Sequence, residues 1–357
     1  MAKRADTGPP VVVGVDPDRP YRLPTLDIPR KASAYTLGRV LPLVAAGAVT
    51  VWSFGGTVRA VQMPGGGIWK GADGLDAEHR RDPQAVLDFW RECREVAGCR
   101  QAGGYAAPFH ALFETERAPA SLDFLLSPYF SGGWEAALVK GRTTAPAYQY
   151  DMRSAYLWAS TLGLPVGKSW KASRVIRGNK PGIYLVEHDP RESLPYPFNR
   201  HRHVIATDAE CEAYNLDVRR VLGGATWSDS LPADAVTSVC DRFTFGKQMG
   251  RAYWGRWASS APLLVTQGGK TREMPNRSRN VAWAHLIVSR VRSRLWEASR
   301  AAGGLHVYVD AVIGTREIPT GPGLGDFRLV REYLGGVDVR GTGRYAPIVV
   351  GNAGGKA

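Results

Sequence analysis

Leu305-His306-Val307-Tyr308-Val309-Asp310-Ala311-Val312-Ile313-Gly314-Thr315 alternates and then turns. Leu305, Val307 and Val309 share one face of an expected strand, Asp310 and Ala311 sit at a bend, and Val312 and Ile313 resume the apolar run. The stretch predicts a hairpin with an acid at its tip. Just upstream, 281–300 predicts an amphipathic helix. Val281, Ala284, Ile287, Val288, Val291, Leu295 and Ala298 form one face, and Arg290, Arg292 and Arg294 are expected to point elsewhere.

Working outward, 147–151 reads as a short strand that ends at the carboxylate of Asp151, and 183–187 as another strand. Thr207-Asp208-Ala209-Glu210 has the capping-box pattern and is expected to open a helix running towards Arg220. The segment 233–259 reads as helical, and 261–279 as a short loop or ribbon. In the N-terminal part, residues 1–30 are Pro-rich and irregular, and Gly65-Gly66-Gly67 marks a loop. A helix is expected at 82–97. Asp82 caps it, Pro83 suits its first turn, Phe89, Cys93 and Val96 recur on one face, and Gly98 ends it. The segment 122–130 leads into Ser131-Gly132-Gly133, and no internal repeat is visible.

The chain has 357 residues, 44% of them hydrophobic, enough for a large core or for several lobes. Its 46 Lys and Arg outnumber 33 Asp and Glu, a formal net charge of +13. Residues 240–300 hold twelve of these bases against three acids, a net +9 on one segment. Such density is the expected footprint of a polyanion partner, although a charge run taken alone is more often a solvated face. Cys93, Cys99, Cys211 and Cys240 lack metal-ligand spacing and are too few for a disulfide framework, so buried thiols in a reducing cytoplasm are expected. No apolar run is long enough to span a bilayer, and no hydrophobic region follows the opening Met1-Ala2-Lys3-Arg4, so neither a membrane partner nor a signal peptide is expected.

An acid at a strand end and another at the tip of an adjacent hairpin can meet on one rigid platform. Nucleotidyl transfer needs such a pair, to hold two divalent ions roughly 4 Å apart. Asp151 and Asp310 are candidates on that logic. Taken singly, Asp151 also reads as the cap of a helix starting near Ser154, and Asp310 as an ordinary turn residue.

Three blocks resemble the family B DNA polymerases, most closely the protein-primed branch of phages and linear plasmids. Asp151-Met152-Arg153-Ser154-Ala155-Tyr156-Leu157 is similar to the family's Asp-x-x-Ser-Leu-Tyr-Pro, with its proline replaced. Lys247-Gln248-Met249-Gly250-Arg251-Ala252-Tyr253-Trp254-Gly255-Arg256-Trp257-Ala258 resembles Lys-x-x-x-Asn-Ser-x-Tyr-Gly-Lys-Phe-Ala. The hairpin stretch resembles Tyr-x-Asp-Thr-Asp-Ser. Phe130-Ser131-Gly132-Gly133 looks like the aromatic-x-Gly-Gly loop of this branch. Order and joint spacing over about 125–350 carry the resemblance, because each motif alone is weak.

The resemblance implies an α+β right-hand fold with an antiparallel palm sheet, two-helix fingers and a reduced thumb. The expected divisions are a degenerate exonuclease-like lobe at 1–125, palm at 126–232, fingers at 233–302, and palm with thumb at 303–357. Asp151 and Asp310, helped by the Met152 carbonyl, would bind two Mg²⁺ or Mn²⁺ ions. Met152, Ser154, Tyr156, Lys247, Arg251, Trp254 and Gly255 would face the nucleotide, with Tyr156 excluding a 2′-hydroxyl, Lys247 on the triphosphate and Trp254 stacking near the new base pair. Gly132, Gly133, Arg256, Arg344 and Tyr345 would contact DNA. The implied partners are a DNA template and primer, deoxynucleotides and a terminal-protein primer, and the implied setting is the cytoplasm of a bacterial host.

The third block keeps one acid of two. Without a gap, Asp310 is the second, metal-binding acid and Tyr308 replaces the first; with Tyr308 as the motif's tyrosine, the metal-binding acid is lost. The ungapped reading is preferred because it keeps Thr315 in place. The other reading gives a catalytically inactive DNA-binding protein, and a primase-like or template-independent transferase is a third alternative. The segment 261–279 is too short for the branch's strand-displacing insertion. Proofreading is not expected: Asp76-Ala77-Glu78 has no apolar strand before it, and no asparagine occurs before Asn179.

Overall fold

The computed structural model describes residues 11–16, 19–22, 49–54, 57–62, 68–69, 89, 92–93, 95–98, 107–178, 180–244, 246–258, 263–267, 270–274 and 279–348. The expectations for Asp76, Glu78 and Asp82 lie outside these residues. The chain divides into two compact units, residues 1–115 with 238–279 and residues 116–237 with 280–357. The helix at Val281–Ala301 belongs with the unit that holds Asp151 and Asp310.

In the first unit, strands Val11–Asp16, Arg19–Arg22, Val49–Phe54, Thr57–Gln62 and Ile68–Trp69 form an antiparallel sheet. Phe89 and Cys93 are buried, as the expected helical face requires. The single helical stretch expected at 233–259 is two helices, Ala235–Asp241 and Gly246–Ala258. The break falls at Gly246, where a Cβ would sit 2.0 Å from the Cys240 carbonyl oxygen. Tyr253 and Trp257, one turn apart, pack edge to face at 4.9 Å, and Phe109 lies 4.6 Å from Tyr253. Leu263–Gln267 and Lys270–Met274 pair as an antiparallel ribbon.

Elements of the second unit are numbered along the chain: β1 (Trp134–Ala137), β2 (Gly141–Thr143), β3 (Ala147–Met152), β4 (Lys171–Ala172), β5 (Gly182–His188), β6 (His203–Thr207), β7 (Val218–Thr226), β8 (Gly304–Val309), β9 (Ala311–Gly314), β10 (Phe327–Tyr333), β11 (Val337–Gly341) and β12 (Arg344–Pro347), with helices α1 (Ala120–Leu126), α2 (Ala155–Thr161), α3 (Asp208–Ala213) and α4 (Val281–Ala301). A five-stranded antiparallel sheet runs β10-β3-β9-β8-β1, a four-stranded one β6-β5-β7-β4, and a three-stranded one β12-β11-β2. The unit is thus mixed α/β with antiparallel sheets. The residues that follow β9 supply β10, the edge of the five-stranded sheet, and two strands of the small sheet. Val337 and Val339 of that small sheet pack with Leu305, Ile313, Tyr333 and Ala147.

Helix α4 touches β8 and β9 of one sheet, β6 of another, and also α1, α2 and α3. Over its first half this helix has no side left for a polar face, whereas Arg294, Glu297 and Arg300 near its end stay exposed. Its residues from Val281 to Ser289 are accordingly all buried. Arg292, expected to point outward, is 1% exposed. Its Nε donates to Glu210 at 3.0 Å and its Nη1 to the Tyr196 carbonyl at 3.1 Å, while the guanidinium lies 5.3 Å from the Phe198 ring centre. Arg290 also turns inward, donating to the carbonyls of Ala159, Leu162 and Gly163 at the end of α2, where a cation complements the helix dipole. Part of the basic stripe at 240–300 therefore serves the fold.

The capping box forms as expected, with Thr207 and Glu210 bonded reciprocally. The helix does not run to Arg220. It stops at Ala213, Asn215 takes a left-handed turn (φ 46°), and Arg219 and Arg220 lie on β7. Gly224 lets that strand approach its neighbour closely, since a Cβ there would lie 2.4 Å from the Ile183 carbonyl oxygen and 2.7 Å from the Tyr184 ring. Among the described residues, no helix is long and apolar enough to cross a membrane.

Candidate active site

The hairpin of β8 and β9 forms with Asp310 at its turn, and β3 runs beside β9. Arg328 pairs with Asp151, Asp151 with Ala311, Ala311 with Tyr308, and Tyr308 with Glu135. These five residues form one row across all five strands, and directly opposed residues project from the same face. Asp310, in the turn between β8 and β9, immediately precedes Ala311, so its backbone comes beside the end of β3 that carries Asp151.

Backbone bonds hold this edge. Met152 N–H donates to the Asp310 carbonyl at 2.8 Å, and Asp310 N–H to the Tyr308 carbonyl at 2.7 Å. Val309, just before Asp310, has φ 57°, and Ser154, three residues after Asp151, has φ 46°. Left-handed backbone at a non-glycine residue costs about 1–3 kcal/mol, and such strain collects where structure is held for a purpose. Downstream of Asp151, Arg153 exchanges backbone bonds with Asp326 and Gly325, each at 2.9 Å, which clasps the loop before β10 against the first block. Asp151 is therefore not a helix cap: α2 starts at Ala155 with Ser154 before it.

Tyr156 is buried. Burial pushes its hydroxyl above the ordinary 10.0, and the carboxylates of Asp310 and Glu135 push the same way. A neutral phenol thus stands close to two acids. A Cβ on Gly133 would lie 3.2 Å from the Tyr156 oxygen and 3.5 Å from Val309, so that glycine leaves room for both. The preceding Ser131 is tied to the core, its Oγ accepting from Arg292 at 3.4 Å. Arg328 donates through Nε at 3.0 Å and Nη2 at 2.5 Å to Oδ2 of Asp151, with side-chain exposures of 51% and 24%.

Two carboxylates and a backbone carbonyl are hard oxygen donors. Mg²⁺ and Mn²⁺ accept such a set, because they bind through one or two carboxylates and complete their shell with water and phosphate. The acids present fit that pattern. Among the described residues, no group of three or more His, Cys, Asp or Glu could hold a metal ion by itself.

The structure brings Asp151, Asp310, Met152, Ser154, Tyr156 and Gly133 to one region. Gly132 has open space where a Cβ would be. Tyr345, on β12, packs 5.3 Å from His306 and 6.4 Å from Tyr333, with Arg344 exposed beside it. Trp254 and Gly255 lie on the helix Gly246–Ala258 of the first unit, Trp254 half-buried and Gly255 facing open space. The side chains of Lys247, Arg251 and Arg256 lie outside the described residues. Sequence reasoning missed Glu135 and Arg328. Glu135 stands two residues after Gly133, and the charged run on β10 reads as a solvated face; only strand register gives either a neighbour.

No model of a known protein family matches the chain, and no curated protein does. Among solved structures, Phi29 DNA polymerase complexed with primer-template DNA is similar over 77% of this chain and 60% of its own, at 13% identity and a TM-score of 0.54. The same polymerase with primer-template and incoming nucleotide matches over 73% and 57%, at 15% identity and a TM-score of 0.53. Its complex with single-stranded DNA matches over 77% and 60%, at 14% identity and a TM-score of 0.51. The likeness is one of fold. The chain has a distant polymerase-like fold and spans about 60% of the length of the chains it matches.

Proposed function

We propose that the chain is a template-directed DNA polymerase in which Asp151 and Asp310, with the Met152 carbonyl, hold two divalent ions. The observation that carries this reading is the Met152–Asp310 backbone bond, which brings the hairpin turn holding Asp310 beside the end of the strand that holds Asp151. The five-stranded sheet would be the palm and the helices of 238–279 the fingers. When bound, the ions would activate the primer hydroxyl and neutralise charge on the departing pyrophosphate. The chain's own residues then position. Tyr156 presents a buried ring close to Asp310, suited to stop a 2′-hydroxyl. Lys247, Arg251, Trp254 and Gly255 keep the nucleotide roles implied by the second block, and Gly132, Gly133, Arg256, Arg344 and Tyr345 the DNA roles. Priming would use a short primer or a terminal-protein hydroxyl.

The experiment is extension of a labelled primer on a template with deoxynucleotides and Mg²⁺ or Mn²⁺, comparing the natural chain with Asp151→Ala and Asp310→Ala. Extension lost by a thousandfold or more (about 4 kcal/mol of transition-state stabilisation) in both variants is expected. A second reading, an inactive polymerase fold that binds DNA, is favoured by Tyr308 in place of an acid and by the arginine on Asp151. DNA binding unchanged by Asp310→Ala, with no synthesis by the natural chain under either metal, would replace the first reading with the second. Synthesis without primer or template would point instead to a primase-like transferase.

A further inference from the structure

Arg328 stands beside Asp151 in the cross-strand row and opposes it in charge. Both of its N–H groups converge on Oδ2 of that carboxylate. Two cations directed at one carboxylate repel each other, and the divalent ion must displace or crowd the arginine. Two features give Arg328 somewhere to go. It lies on β10, the edge strand, with half of its side chain exposed. The β3–β10 register also slips between Leu329 and Arg331, an irregularity of the kind that re-aims side chains beside active sites.

We propose that Arg328 is a positioning residue that holds Asp151 in the metal-free protein and competes with the divalent ion for it. The inference rests on the reading of Asp151 as a metal ligand. It makes loading of the site an exchange of one cation for another rather than the filling of an open acidic site. In the metal-free protein one carboxylate then keeps a cationic partner, so the two acids need not both stand uncompensated.

The test is a Mn²⁺ titration of the purified full-length chain without DNA or nucleotide, with free Mn²⁺ followed by electron paramagnetic resonance. The natural chain is compared with Arg328→Gln and Asp151→Asn, and far-UV circular dichroism checks the fold. A partly exposed ion pair is worth up to about 1 kcal/mol, so Arg328→Gln is expected to bind Mn²⁺ about fivefold more tightly. That gain should occur at a site which Asp151→Asn removes. Arg328→Lys, which keeps the charge and loses the fork, should fall between, and replaces the glutamine variant if that one unfolds. Equal or weaker binding by Arg328→Gln at an Asp151-dependent site overturns the competition and leaves Asp151 a ligand. Absence of Asp151-dependent binding in both the natural chain and Arg328→Gln removes the metal reading itself, and the inference with it.

Discussion

Two arginine–carboxylate pairs in the second unit have the same chemistry and opposite surroundings. Arg292 and Glu210 are fully buried between α4 and α3, whereas Arg328 and Asp151 meet on the open face of a sheet. The buried pair is surrounded: Glu210 also bonds the backbone of its own helix cap and lies 3.4 Å from His285 Nε2, and Arg292 reaches Tyr196 and Ser131. Charges taken out of water need every one of those partners, so neither member can move alone. The exposed pair has water at hand, so its members can trade partners at little cost. Burial, not the pairing itself, separates a fixed strut from an exchangeable contact. The strut also supports the site, since Ser131 leads into Gly132 and Gly133 beside Tyr156.

Removing half of the buried pair should have the largest effect. Arg292→Ala leaves Glu210 charged in the core and should cost about 3–5 kcal/mol in denaturant unfolding, with loss of soluble protein as the extreme outcome. A cost below about 1 kcal/mol would erase the contrast between the two pairs. Replacing both partners with apolar residues, Glu210→Leu with Arg292→Met, should recover much of the loss, because the penalty lies in the uncompensated charge.

Acidification comes next. Burial would raise the Glu210 carboxyl, but Arg292 and His285 outweigh it and hold it below the ordinary 4.5. Its contribution is therefore complete above that value and is lost as pH falls through the depressed folded value. Burial also holds His285 below 6.5, against the pull of Glu210, so the unfolded chain takes up a proton that the folded chain refuses. Both groups give the same sign. The neighbouring Cys211 thiol, pushed up to about 12 mainly by burial, stays neutral throughout. Unfolding free energy should hold above about pH 6.5 and decline below it, more steeply under 4.5. His285→Gln should flatten the upper part of that decline, and an unchanged profile would remove His285 from the account. The smallest effect belongs to the exposed pair: Arg328→Gln should change unfolding stability by less than about 1 kcal/mol. A larger loss would make that pair a second strut.

Much of the second unit was legible. The β8–β9 hairpin, the strand ending at Asp151, the capping box and the long helix follow from alternation, 3.6-residue spacing and capping chemistry, all of which act between near neighbours. The failures share a cause. Arg290 and Arg292 are expected off the apolar face, but α4 is packed on several sides where they stand. The helix expected to reach Arg220 ends at Ala213, and the residues beyond the left-handed Asn215 pair with β5 instead, a partner distant in sequence. At the site, Asp151, Asp310, Tyr156 and Gly133 carry a local signal in their blocks, while Glu135 and Arg328 carry none.

The sequence by itself determined which segments become strands and helices here and which acids stand at their ends, because side-chain periodicity and capping are properties of a few consecutive residues. Only the tertiary structure decided the company those acids keep. The row from Arg328 through Asp151, Ala311 and Tyr308 to Glu135 joins residues up to 193 positions apart, and it exists only once five strands have found their register. The same holds for Arg292, whose charge is tolerable inside the protein only because folding delivers Glu210 to it.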